Sequence, residues 1–278
     1  MTPGTTFWRS IEAIHDVVYF APDAKQRYEA IGLKGHWMGY MASRSAAVGT
    51  PPPQLVVALF HGFAPRMVTR ALPDAWAMAS RDEILRVRYD LARETLAPAL
   101  AEADAGRIAK ELAAITRGID FAGKPLAAAH HSLPEPDDDA GRLWHAATVI
   151  REYRGDCHVA VLTSAGLDGA AANALAEAAG LTDDQQRTMR GWTEDEWAAA
   201  ISRLATRGWV DAAGAITDTG RAARQQIEDA TDRVCAAGVD REATGRMITI
   251  EEPLLALARA IEASGAVTYP NPTSVRRP

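Results

Sequence analysis

The sequence predicts a mainly α chain built from two similar halves that face each other as an internal pseudo-dimer. Three observations predict it. Ala-rich segments whose apolar residues recur every 3.6 positions fall at about 81–118, 143–165, 168–180, 193–208, 218–236 and 251–264, the spacing of amphipathic helices. Strand signals are few, the best being WVDAAGAITD at 209–218, where a Gly-containing turn joins two very short strands. The chain also echoes itself: aligning Trp8 of FWRSIEAIHDVVYF with Trp144 of LWHAATVIREYRGD sets Ile14 on Ile150 and His15 on Arg151.

The first half, residues 1–129, opens with the Trp8 helix and turns at GLKG, 32–35, as the second half turns at GLDG, 166–169. HWMGYMASRS puts His36, Tyr40 and Ser43 or Arg44 near one helix face and Trp37 and Met41 on another. Met38 and Met41 are read as core filling. TPPPQ at 50–54 stops one helix and starts the next, since proline is tolerated in a first turn. Short helices then lead to the closing helix of ASRDEILRVRYDLARETL, capped by Ser80. HHSLPEPDDDAG, 130–141, has the Pro and acidic content of an exposed linker, with His130 and His131 in solvent. The second half spans 142–265, and the tail, 266–278, is expected to be disordered or draped on the surface.

The second half has a more particular order. GLDGAAANALAEAAGLTDDQ and GWTEDEWAAAISRLATRGWVD make two helices, the second starting at a Thr193/Glu196 capping box and ending at Gly208. Trp197, Ile201 and Leu204 form its inward stripe, and a short hairpin and a long helix follow. Helix, helix, β-wing, long helix is the order of a winged helix-turn-helix, so the predicted fold is a duplicated pair of such units with short β-wings. With its wing followed by DTGR and a long helix, this half resembles the winged helix-turn-helix domain of MarR-type regulators. Through FAPDAKQRYEAIGLKGHWMGYMASRSAAVG, LPDAWAMAS, LWHAAT and RGWTEDEW, residues 7–264 resemble an uncharacterised bacterial family of helix-turn-helix proteins. That family brings no activity with it. The MarR resemblance implies a small-ligand pocket between domain and dimer interface.

Composition narrows the partners. The 278 residues are 47% hydrophobic and 24% charged, with a net charge of −6, a soluble globular profile and a poor footprint for nucleic acid or an anionic membrane. No apolar run is long enough to span a bilayer. MTPGTTFWRS has no signal-peptide pattern, and Cys157 and Cys235 have no metal or redox spacing; a cytoplasmic protein without disulfides is expected, with Cys157 a buried hydrophobe. The reading helix begins TEDEW, the wing AAGAI carries no base, and residues 166–215 hold eight acidic against four basic residues, leaving −4. Specific DNA binding, which rests on phosphate contacts, is therefore not expected. The first half is more basic, with Lys34, Arg44, Arg66 and Arg70 against Asp74 over 32–80.

The candidate site comes from the opening helix of the second half. Arg151, Gly155, His158 and Leu162 share one side, and His145, Thr148, Glu152 and Asp156 an adjoining stripe. Such groups on an apolar helix read either as a salt-bridge network within the core or as a ligand pocket. In a duplicated pair the two opening helices pack together, which brings His15 and Tyr19 to the same place. His15, Glu152 and His158 are assigned as acid–base groups, and Tyr19, His61, His145, Arg151, Arg154 and Asp156 as ligand-binding ones. Arg190 and Trp192 are read as stacking or capping groups. There is no dinucleotide fingerprint, P-loop, zinc-protease or esterase motif, and the histidine spacing specifies no metal; the cofactor is left unknown. Three functions remain: a small-molecule-binding protein whose pocket performs acid–base chemistry on a small metabolite, a ligand-responsive MarR-like regulator, and a protein-interaction module. The chain is expected to be a monomer or homodimer.

Overall fold

The computed structural model describes residues 4–100, 104–182, 184–267 and 277. Among these the fold is almost entirely helical and contains no strand, only two isolated β-bridges. Short helices come first: α1 (Thr5–His15), α2 (Val17–Phe20), α3 (Ala24–Ala30), α4 (Gly35–Ser45), α5 (Pro53–Leu59), α6 (Pro65–Thr69) and α7 (Asp74–Met78). α5 and α6 begin on a proline, where the missing N–H costs nothing. Helix α8 (Arg81–Leu100) starts at Ser80, whose hydroxyl caps Glu83 N while the Glu83 carboxylate accepts from Ser80 N. The predicted 81–118 helix is two, because Asp104 caps a new helix, α9 (Ala105–Arg117).

The centre is α11 (Asp139–Ser164), preceded by α10 (Pro125–His131). It is apolar on nearly every side over its first half, burying Leu143, Trp144, Ala147, Ile150 and Tyr153, as a helix enclosed by others must be. It packs against α1, α8, α9 and α10, and against the later α15 (Asp218–Ala237). The last helix, α16 (Arg241–Ala263), covers α1 and α9. No single helix among the described residues is long and apolar enough to cross a membrane.

Between α11 and α15 lies a helix-turn-helix unit: α12 (Gly169–Ala178), the single turn α13 (Gln186–Met189) and α14 (Glu194–Thr206). Gly166 makes the sharp turn into it at φ 67°, a conformation that favours glycine. The Thr193/Glu196 capping box forms as expected. The unit has its own small core of Leu162, Leu167, Ala171, Leu175, Ala200, Leu204, Val210 and Ile227, and Trp192 touches both this core and the main one.

Three expectations need correction. The wing is a single bridge, Val210 to Ile216, within a turn held by Asp211; with one bonded pair the segment never becomes a two-stranded ribbon. The stretch 130–141 is not all linker, since His130 and His131 end α10. His131 is exposed and stacks on Phe121, but His130 is buried under the main core. The call on the tail falls mostly on residues outside those described. The second bridge, Ile119 to Val239, joins the segments after α9 and α15 by reciprocal bonds, Asp120 N to Gly238 O at 2.8 Å and Asp240 N to Gly118 O at 2.9 Å.

His130 generates a testable outcome. Burial lowers its pKa to about 3, so the ring is neutral in the folded chain and protonated in the unfolded chain below about pH 6.5. The unfolded state then binds the extra proton, and this contribution to stability, complete above pH 6.5, is lost as pH falls toward 3. His130→Leu should therefore show a smaller drop in Tm between pH 7 and about 4.5 than the wild type, measured by circular dichroism. An unchanged drop would place the acid sensitivity in other groups.

Candidate functional site

A cavity of about 220 Å³ lies where α11 meets α4, the 60–63 loop, α12 and α15. The helical spacing of α11 places Arg151, Gly155, His158 and Leu162 on its wall, with Glu152 and Asp156 beside them. α4 adds Arg44, α12 adds Asn173, the residue after α13 adds Arg190, and α15 adds Arg224.

Glu152 organises this wall. It is 1% exposed and accepts from Arg44 Nε at 2.9 Å and Nη2 at 2.8 Å. Arg151 Nη1 adds a third bond at 3.0 Å, while Arg151 Nε reaches Glu12 at 3.3 Å. Burial alone would raise the Glu152 carboxyl, but the Arg44 and Arg151 guanidiniums hold it well below the usual carboxylate range. The acid–base group read from the sequence is thus an anion at neutral pH, held between two guanidiniums. The long-range partner, Arg44, is the part of the pair that helix spacing does not reveal.

Two guanidiniums are fixed by aromatic rings. Arg44 lies 4.4 Å from the Phe60 ring centroid and Arg190 lies 4.5 Å from that of Phe63, placements that favour a desolvated cation. Burial lowers the Arg190 pKa, with Arg44 and Arg151 adding to the effect; Arg190 thus lines the cavity in addition to stacking, a role the sequence reading missed. The 60–63 loop is gripped by the helix-turn-helix unit through its backbone. Asn173 Nδ2 and Trp192 Nε1 both donate to Gly62 O, at 2.7 and 3.3 Å, and Ala64 N donates to Arg190 O at 2.9 Å. Gly169 permits this approach, because a Cβ there would sit 2.0 Å from His61 O.

His61 and His158 line the cavity. Burial lowers both imidazoles, His158 to about 4. His158 Nδ1 bonds Thr231 Oγ1 at 2.9 Å, and that hydroxyl donates to Ile227 O. The ring must therefore donate through Nδ1, leaving Nε2 as its acceptor. Asp156 caps α10 from the side, accepting from Leu126 N and Ala127 N at 2.9 Å each. Burial raises its carboxyl to about 6 despite those bonds.

The other proposed site residues lie elsewhere. His15 is fully buried, bonded to Thr148 at 2.9 Å and to Tyr19 at 3.2 Å. Tyr19 in turn accepts from Arg88, a buried guanidinium packed against the Tyr19 and Trp144 rings. Equivalent depth along α1 and α11 does not mean a shared cavity, since the two helices close directly on each other through His15–Thr148 and through Trp144 Nε1, which donates to His15 O at 3.0 Å. His145 is tied to Tyr89 at 2.6 Å. Arg154 pairs with Asp232 and Glu228 and stacks on Trp8, in a neighbouring groove. Cys157 and Cys235 are buried free thiols. Among the described residues no three His, Cys, Asp or Glu side chains are placed to hold a metal ion.

A helical fold carrying this unit between α11 and α15 defines a helix-turn-helix protein. The chain matches the helix-turn-helix family over residues 4–268 and belongs to that family. No curated protein and no solved structure matches it.

Two variants test the wall. Glu152→Gln leaves Arg44 and Arg151 without their shared carboxylate, which should cost about 3–5 kcal/mol and lower Tm by on the order of 10 °C; a loss of under about 2 °C would remove Glu152 from the centre of the packing. Asp156 acts in the opposite pH sense to His130. Its folded pKa lies above the ordinary value near 3.9, so the folded state holds the proton and the group's contribution falls as pH rises from about 4 to about 6. Asp156→Asn keeps an acceptor for α10, and its stability relative to wild type should rise over that interval, as read from urea midpoints.

Proposed function

We propose that this protein is a small-molecule-binding member of the helix-turn-helix family, with its ligand in the cavity between the first half and the helix-turn-helix unit. One observation carries the reading: half-buried and buried charged groups from α4, α11, α15 and the helix-turn-helix unit converge on one internal space. Charged side chains are expensive to remove from water, and a shared polar space is where a ligand completes their bonding. Proton transfer to such a ligand would fall to His61, His158 and Asp156, the titratable cavity groups that are not locked in a salt bridge.

The second reading is a ligand-responsive, MarR-like DNA-binding regulator; the family description, helix-turn-helix, is compatible with its DNA binding. Against it stands the chemistry of α14. Its first turn carries Glu194, Asp195 and Glu196, and Glu196 is held bidentately by Arg66 at 3.0 and 2.8 Å. Its bases are also engaged: Arg203 with Asp168, and Arg207 with Ala165 O and Gly166 O. Phosphate contacts need such side chains free.

The experiment pairs a thermal-shift screen of small metabolites with fluorescence anisotropy on genomic fragments. Hits at about 100 times Kd should stabilise the chain by about 2.7 kcal/mol, and Ala172→Leu, which fills the cavity, should abolish them. Anisotropy should show no nanomolar complex at physiological salt. A salt-sensitive, sequence-specific complex would favour the regulator, and hits untouched by Ala172→Leu would remove the cavity from the function.

A further inference from the structure

The sequence holds two cysteines in 278 residues, and the fold seats them against each other. Helices α11 and α15 run antiparallel, and three contacts fix their register. Tyr153 Oη donates to Cys235 O at 2.7 Å, Arg154 Nη1 donates to Asp232 at 2.6 Å, and His158 Nδ1 bonds Thr231 Oγ1 at 2.9 Å. Cys157 stands one turn beyond Tyr153, and Cys235 one turn beyond Thr231, so both thiols face the seam between the helices. Their side chains are hydrogen-bonded to each other. They are 1% and 2% exposed, within the main core. Gly238 keeps the seam close at this end, since a Cβ there would strike the Tyr153 hydroxyl.

The two thiols are not equivalent. The hydrogen bond from Cys235 lowers the Cys157 pKa, and the Lys124 ammonium adds to that effect against the opposing pull of burial. Lys124 is half-buried, with Nζ 5.7 Å from the Tyr153 ring centroid. The same hydrogen bond, together with burial, raises the Cys235 thiol. Thiol oxidation proceeds through the thiolate, which makes Cys157 the attacking sulfur and Cys235 the resolving one.

We propose that Cys157 and Cys235 are a redox modification site, forming an intramolecular disulfide on reaction with a peroxide. The Cys157 thiolate attacks one oxygen of hydrogen peroxide, the O–O bond breaks, and hydroxide leaves while Cys157 becomes a sulfenic acid. The Cys235 sulfur then attacks the Cys157 sulfur. The S–O bond breaks, and the Cys235 proton leaves with the departing hydroxide as water. Two thiols and one peroxide thus give one disulfide and two waters, the sulfurs losing the two electrons that the peroxide oxygens gain. The reagent is little larger than a water molecule, which suits a pair with so little exposure. The whole helix-turn-helix unit, α12 to α14, lies between the two cysteines. The new bond joins the ends of that segment and braces α15, which carries Arg224 and Ile227 to the cavity, on α11. Closing so long a loop restricts the unfolded chain and so stabilises the folded one.

The full chain, folded by circular dichroism, is treated with hydrogen peroxide, quenched with catalase, unfolded and alkylated with N-ethylmaleimide before its intact mass is measured. The treated wild type should be lighter by two hydrogens and take no maleimide, and dithiothreitol should restore two labelled thiols. Its Tm should rise by about 5 °C or more. With dimedone present during oxidation, Cys235→Ala should be labelled at Cys157, and Cys157→Ala should stay unlabelled. Should either alanine variant fail to fold, the serine variant takes its place, and the wild-type masses decide the disulfide by themselves. Two maleimide-reactive thiols after treatment, sulfinic acid without a disulfide, or a disulfide joining two chains would overturn the site. Dimedone on Cys157→Ala instead of Cys235→Ala would overturn Cys157 as the attacking sulfur, and an unchanged Tm the bracing of α15.

Discussion

The structure turns on one buried carboxylate. Glu152 stands in the middle of the central helix, almost without exposure, and is bonded to two arginines from two different elements. A carboxylate in that position is costly to desolvate, by several kcal/mol even after relaxation. The cost is offset because Arg44 approaches bidentately from α4 and Arg151 closes the third bond one residue away on α11. Arg44 and Arg151 in turn bind the first-half helices α4 and α1 to α11, the latter through Glu12. The packing of the first half on the second and the charge of the cavity therefore share one cause.

Around this pair the molecule separates polar groups that locate from polar groups that remain available. His15, Tyr19, Ser43 and Arg88 are linked to one another and to Thr148. Their hydrogen bonds satisfy groups that would otherwise be stranded in the core. His158 and Arg224, by contrast, touch both cavity and groove. The same residue types thus lie within the core or face the cavity according to the helix that carries them.

Much of the fold was legible because helical periodicity and capping are local. The Thr193/Glu196 box, the turn at Gly166 and the cavity side of α11 all follow from spacing within a few residues. The partners of that side were not legible. Arg44 sits 108 residues from Glu152, and nothing in HWMGYMASRS distinguishes an arginine that crosses the core from one that reaches solvent. Arg190 reads in sequence as a stacking or capping group, and Arg224, among polar neighbours, carries no sign of the cavity it lines. Arg88 is hidden by its setting in RDEILRVRYDLARETL, and its burial gives Tyr19 a guanidinium partner instead of a cavity. His130 misled for the opposite reason, since a Pro- and Asp-rich stretch follows it although its own helix is packed. The predicted wing failed because two apolar residues, Val210 and Ile216, suffice for one bridge but not for a ribbon.

The way the 60–63 loop is held has a consequence for how such a protein diversifies. The helix-turn-helix unit grips it through the carbonyl of Gly62 and the amide of Ala64, with the carbonyl of His61 seated against Gly169. None of these contacts uses the imidazole. The imidazole makes its own bond to the Leu167 backbone, so exchanging the side chain at position 61 gives up that single bond while the backbone grip on the loop stays in place.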